Sequence, residues 1–135
     1  MKAVGRGDEI GASSIQIFNQ SPRAWKPTKY TEDDFAEFRE AMEASTVESV
    51  IIHAVYLINP ATPEKELRKK SLESLTHALR IGDGIGATGV VLHPGSRKDN
   101  ELIPAMVRSG EMIEAAIDDS ENCPVLIEQL SLIHI

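Results

Sequence analysis

Two histidines and one glutamate stand at matching places in the chain. Val50-Ile51-Ile52 leads to His53, Val90-Val91-Leu92 leads to His93, and Val125-Leu126-Ile127 leads to Glu128. Short runs of β-branched and apolar residues read as buried strands, so each run delivers a candidate metal ligand at its C-terminal end. Neutral imidazole and carboxylate are suitable zinc ligands, and convergent strand ends bring such groups close together. A single histidine of this kind reads first as a hydrogen-bonded core or loop residue, and the spacing is not that of a zinc finger. Recurrence at one structural position is what sets the metal site beside that plainer reading. His77, inside a helical stretch, and His134, in the C-terminal tail, lack that placement.

Polar residues cluster beside the same strand ends. Arg23-Ala24-Trp25-Lys26 offers cation and aromatic on one loop. Such a loop suits gripping phosphates or wedging into a duplex; alternatively, Trp25 packs on the rim and the charges are solvated. Tyr56 and Asn59, beyond His53, either face a ligand or cap their loop. His93-Pro94-Gly95-Ser96-Arg97 places glycine and a hydroxyl beside a candidate ligand, which suits close backbone approach to a phosphate, or a tight turn. Cys123 starts a strand, at the end opposite the ligands, and reads as core.

These residues need a frame of alternating strands and helices. Lys2 to Gly11 reads as a short helix ending at glycine, and Ser13 to Phe18 as a strand with Ile15 and Ile17 on one side. Thr31 to Ser45 reads as a helix: Thr31 is the N-cap, Glu32 and Asp33 sit in the first turn, and Asp34 follows three residues after the cap. Phe35, Phe38 and Met42 form its buried stripe. Pro63 opens a long helix at the position where proline is tolerated. Leu67, Ser71, Leu75 and Leu79 share one of its faces, and Gly82, Gly84 and Gly86 end it. Glu101 to Asp118 is a further helix, with Ile103, Val107, Ile113 and Ile117 as its apolar positions. Cys123 to Glu128 is the last strand.

Strands therefore recur roughly every 35 to 40 residues. Apolar strands alternating with amphipathic helices mean parallel βα units with right-handed crossovers. No Gly-rich phosphate loop follows the first strand, which weakens an open doubly wound sheet. Polar residues at successive strand C-termini fit a (β/α)8 barrel. The expectation is an α/β chain, a partial (β/α)8 TIM barrel of about four parallel strands. The order starts in a helix without a strand before it and stops at a strand without a helix after it, so a piece of a longer barrel is expected.

A chain of 135 residues suffices for one modest core but not for two. Its 41% hydrophobic and 26% charged residues suit a soluble globular protein. The lone cysteine excludes an intrachain disulfide and suits a reducing compartment. No apolar run approaches the roughly 20 residues that span a bilayer, and the start lacks the apolar core of a signal peptide, so a cytoplasmic protein with no membrane partner is expected. A net charge of -7 argues against a uniformly basic nucleic-acid binder but leaves room for a local basic patch.

The segments IGASSIQIFNQSPRAWK, IIHAVYLINPATPEKELRKKSLESL, VVLHPGS and VLIE, in this order and spacing, resemble the endonuclease IV family of apurinic/apyrimidinic endonucleases. The resemblance covers residues 1–128 and leaves 129–135 as a non-matching tail. It implies a TIM barrel with a trinuclear Zn2+ cluster that cleaves double-stranded DNA 5′ to an abasic site in base excision repair, the full-length enzyme being a monomer. It implies zinc ligation by His53 and His93, with Glu128 as bridging ligand and catalytic residue. Arg23 and Tyr56 would belong to loops that penetrate the minor groove, and Trp25, Asn59 and Ser96 to the DNA-facing surface. The chain departs from the family in four ways. The family's first strand is absent, and Gln129 to Ile135 replaces the usual Asn-small-Gly after the glutamate. Arg97 stands where a histidine is usual, and the remaining zinc ligands belong to later strands. The resemblance thus implies an incomplete ligand set and a polypeptide inactive by itself. The competing readings are a metal-dependent sugar isomerase or epimerase of the same barrel superfamily, and a non-catalytic barrel fragment.

Overall fold

The computed structural model describes residues 2–98 and 101–129. Helices and strands alternate through that length. They are α1 (Lys2–Glu9), β1 (Ser14–Phe18), α2 (Glu32–Glu43), β2 (Ser49–His53), α3 (Lys65–Ile85), β3 (Gly89–Leu92), α4 (Leu102–Ile117) and β4 (Val125–Ile127). The four strands form one sheet in the order β1-β2-β3-β4, and every neighbouring pair is parallel. This is the expected partial barrel, four parallel strands alternating with helices. Among the described residues no helix is long and apolar enough to cross a membrane.

Alternation along the strands decides which side chains meet the helices. Val50 and Ile52 of β2, with Val90 and Leu92 of β3, are fully buried against Leu75 and Leu79 of α3. The residues between them point to the other face, because the side-chain period of a strand is two. The register pairs Phe18 with His53, His53 with Val91, and Val91 with Leu126. Phe18, His53, His93 and Glu128 therefore share the face away from the helices, at the C-terminal ends of the strands.

Local chemistry accounts for most boundaries. Thr31 caps α2 in a reciprocal box: its hydroxyl accepts from the Asp34 amide, and the Asp34 carboxylate accepts from the Thr31 amide. Phe35 and Phe38 are its buried face, with Met42 partly buried beside them.

Three expectations fail, each for a physical reason. Pro63 does not open α3; Glu64 is the N-cap, and the Thr62 hydroxyl accepts from the Glu64 amide, so the proline lies just outside the helix. Gly82 and Gly84 do not end α3 either. A Cβ at Gly82 would sit 2.3 Å from the Cys123 sulfur and one at Gly84 2.4 Å from the Phe35 ring, so both glycines permit close packing inside the helix. The terminator is Gly86, whose φ of 68° is the left-handed cap. On α4, Ile103, Val107 and Ile117 are exposed, while Ala105, Ser109, Met112 and Ala116 are buried. Small residues let α4 lie close to its neighbours, and only Ile113 of the expected positions packs on the core.

Candidate metal centre

His53 is the last residue of β2 and is 7% exposed. Its Nδ1 lies 2.8 Å from the Ala54 carbonyl oxygen. A carbonyl only accepts, so Nδ1 carries a hydrogen and Nε2 is the nitrogen turned toward Glu128. Nε2 lies 3.1 Å from Glu128 Oε2. His93, one residue past β3, places its Nε2 3.0 Å from the same oxygen. Glu128, one residue past β4, continues the ladder by donating its amide to the Leu92 carbonyl at 3.0 Å. One carboxylate oxygen thus faces two imidazole nitrogens, and the ligand atoms of the three residues all lie within 4.8 Å of one another.

The charge at this cluster suits a cation. The hydrogen bond with His53 outweighs the cost of burial and, with the charge and hydrogen bond of His93, holds the Glu128 carboxyl below the usual range. An ionised carboxylate offers lone pairs only, and an imidazole without a hydrogen at Nε2 offers one there. Two acceptors 3.1 Å apart repel unless a second proton or a metal ion lies between them. Zinc bonds of about 2.0–2.1 Å to nitrogen and oxygen separate tetrahedral ligand atoms by roughly 3.3 Å, close to the two carboxylate–imidazole distances found. The donor set, two imidazoles and one carboxylate with one ring already oriented by a backbone carbonyl, therefore fits a zinc ion.

The loops around the triad are tied to one another. The Tyr56 amide donates to the Pro22 carbonyl, which stitches the loop carrying Arg23 and Trp25 to the one carrying Tyr56. Arg23 is exposed, whereas Trp25 is half-buried and packs against the core. Tyr56 is 53% exposed, its ring 5.4 Å from that of His53 and 6.0 Å from that of His93. Asn59 clasps the loop after β3: its amide nitrogen donates to the Ser96 carbonyl, and its carbonyl accepts from the amides of Ser96 and Ala61. Gly95, at φ 94°, passes so close that a Cβ there would lie 2.4 Å from Asn59 Oδ1. Asn59 and Ser96 therefore hold loops together at the rim. His77 lies apart, its Nε2 donating to the Thr28 carbonyl, and His134 lies outside the described residues.

Sequence reasoning passed over Phe18, whose ring lies 5.4 Å from that of His53. The signal was available: Phe18 ends β1 at the level where His53 ends β2. An apolar side chain in that place reads as core, and so it drew no notice.

A model of the xylose isomerase-like TIM barrel family matches residues 6–131. The chain belongs to the xylose isomerase-like TIM barrel family. Within it, the chain is 32% identical over 126 residues to a probable endonuclease 4 from Halothermothrix orenii, covering 93% of this chain and 45% of that protein. It superposes on the crystal structure of endonuclease IV from Thermus thermophilus with a TM-score of 0.81 and 32% identity, over 93% of this chain and 45% of that one. A D-tagatose 3-epimerase-like structure shares the xylose isomerase-like fold at a TM-score of 0.64 and 18% identity, over 91% of this chain and 46% of that one. The chain spans somewhat under half the length of the relatives it matches.

Proposed function

We propose that the chain carries one wall of the active site of a zinc-dependent DNA-repair endonuclease that cuts the backbone 5′ to an abasic site. One observation carries this reading: two imidazole nitrogens meet a single carboxylate oxygen, at 3.1 and 3.0 Å, on the C-terminal rim of parallel strands. The likeness to endonuclease 4 relatives over nearly the whole chain supports it.

His53, His93 and Glu128 would hold the zinc, which when bound supplies Lewis-acid polarisation of the scissile phosphate and a nucleophile at neutral pH. The chain's own residues do the remaining work. Ala54 keeps the His53 lone pair turned outward, and Glu128 stays anionic beside both imidazoles. Arg23, exposed on its loop, pairs with a backbone phosphate. Tyr56 stands out of the surface and enters the duplex where a base is missing. Trp25 anchors the Arg23 loop from beneath, while Asn59 and Ser96 keep the loop after His93 near the phosphate. An abasic nucleotide leaves the stack at least cost, because no base has to be unstacked.

The test joins residues 2–128 to the remaining barrel of the Thermus thermophilus enzyme, then measures zinc content and incision of a duplex with one abasic site. The expected result is zinc-dependent incision that His93→Asn abolishes. The isolated chain is expected to bind zinc with little incision. A chimera that folds and loads zinc yet leaves the abasic duplex intact, or one that epimerises a ketose instead, overturns the reading.

A further inference from the structure

We infer that Ser109 is a positioning residue: from α4 its hydroxyl holds the Pro94 carbonyl and so sets where the backbone presents His93 to Glu128. The inference rests on the metal-site reading above. Ser109 is 8% exposed, on the buried face of α4. A serine inside a helix ordinarily bonds a carbonyl one turn back in its own helix. This one reaches out of the helix instead, donating to the Pro94 carbonyl at 2.9 Å. Its neighbour Arg108 does the same for the other rim loop, Nε donating to the Ala61 carbonyl at 2.8 Å. Consecutive residues of one helix thus hold the loop after β2 and the loop after β3.

The stretch from His93 to Gly95 needs such a hold. The sheet's last grip is at Leu92, whose carbonyl accepts from the Glu128 amide, and the Asn59 clasp begins at Ser96. Among the described residues, His93 and Gly95 make no backbone hydrogen bond between those points, and Pro94 has no amide hydrogen to give. Gly95, at φ 94°, adds a link with wide conformational freedom. Among the described residues, the Ser109 bond is therefore the one hydrogen bond on the backbone of that stretch. Its base is firm. Arg68 of α3 donates through Nη1 to the Arg108 carbonyl at 3.0 Å and pairs through Nη2 with Glu111 of α4 at 3.2 Å. Without the Ser109 hydroxyl the Pro94 peptide is free to turn, and the His93 ring swings with it, away from the carboxylate oxygen it shares with His53.

The experiment uses the full chain. Zinc titration reports affinity, the visible absorption of the cobalt-loaded protein reports ligand geometry, and amide hydrogen exchange of the metal-free protein reports the hold on the loop. In Ser109→Ala, zinc affinity is expected to fall about tenfold, the low end for a lost outer-shell partner, with an altered cobalt spectrum. The Ser96 amide is expected to exchange about tenfold faster, the size of one net hydrogen bond, while the Val90 amide, buried in β3, keeps its rate. Ser109→Thr keeps the hydroxyl and is expected to restore all three readouts. Should Ser109→Ala not fold, Ser109→Cys, a weak donor of similar size, supplies the comparison. A Ser109→Ala protein with either the Ser96 exchange or the zinc affinity unchanged overturns the inference. So does a loss that Ser109→Thr leaves in place, or an acceleration shared by Val90, since both mark packing alone. If the unmodified chain takes up no zinc, the metal reading fails by itself, and the Ser96 exchange in the metal-free protein still decides the role of Ser109.

Discussion

Replacing Glu128 with glutamine would keep the side chain's shape and remove the charge that both imidazoles face. Zinc affinity of Glu128→Gln and of His93→Asn, measured by titration, should fall by more than the roughly 10–100-fold that an outer-shell change costs, while the melting temperature moves little. Gly95→Ala acts differently. A Cβ there meets Asn59 Oδ1 at 2.4 Å and the backbone is at φ 94°, so the substitution should destabilise by about 1–3 kcal/mol in chemical denaturation. The meeting of His53, His93 and Glu128 was legible because residue type and strand-end position recurred together. The work of Asn59 was legible only as a choice between ligand contact and loop cap. Its partner Ser96 lies 37 residues away, and no local pattern announces a pairing at that distance. Phe18 was hidden by its own chemistry, since an apolar ring at a strand end looks like any core residue.

At the scale of elements, α3 and the turn after α4 are locked by one carboxylate. Asp83 accepts from the backbone amides of Glu121, Asn122 and Cys123 and from the Ser120 hydroxyl. Burial alone would push its pKa up, but these hydrogen bonds together hold it below the ordinary 3.8. A lowered folded-state pKa means that the carboxylate stabilises the fold above about pH 4 and that this stabilisation fades as pH falls through the lower folded value. Asp83→Asn should cost about 2 kcal/mol at neutral pH, and thermal melts should show the gap from the unmodified chain closing in acid. Gly82→Ala, which drives a Cβ into the Cys123 sulfur, should cost about 1–3 kcal/mol through overpacking. The sequence displayed α2 nearly whole, because cap, acidic first turn and apolar stripe coincide there. It misplaced the end of α3 because helix-breaking and close packing call for the same residue. It chose the wrong face of α4 because that helix is apolar on more than one side, and only its neighbours decide which face is covered.

For the whole molecule, the consequence lies in what α4 and β4 leave uncovered. Leu102, Ile103, Met106 and Val107 are exposed on α4, Ile103 by 68%, and Ile127 is exposed on β4. A groove of about 510 Å³ runs between α4, Ile127 and the loop after β3. Among the described residues β1 and β4 are the sheet edges, and such edges with contiguous apolar surface favour self-association. The isolated chain should therefore associate increasingly with concentration in sedimentation velocity, and Ile103→Lys with Met106→Lys should reduce this without lowering the melting temperature. The half-barrel architecture was the most legible feature of all, since strand spacing and periodicity survive every local misreading.

The Asn59 clasp has one more consequence, and it concerns ageing. Asparagine deteriorates in solution when the next residue's backbone nitrogen attacks its side-chain amide and closes a five-membered imide. The next residue here is Pro60, whose nitrogen carries no hydrogen to surrender. The fastener between the two rim loops is thereby protected from the commonest spontaneous damage to its residue type, and stored protein should keep that fastener intact.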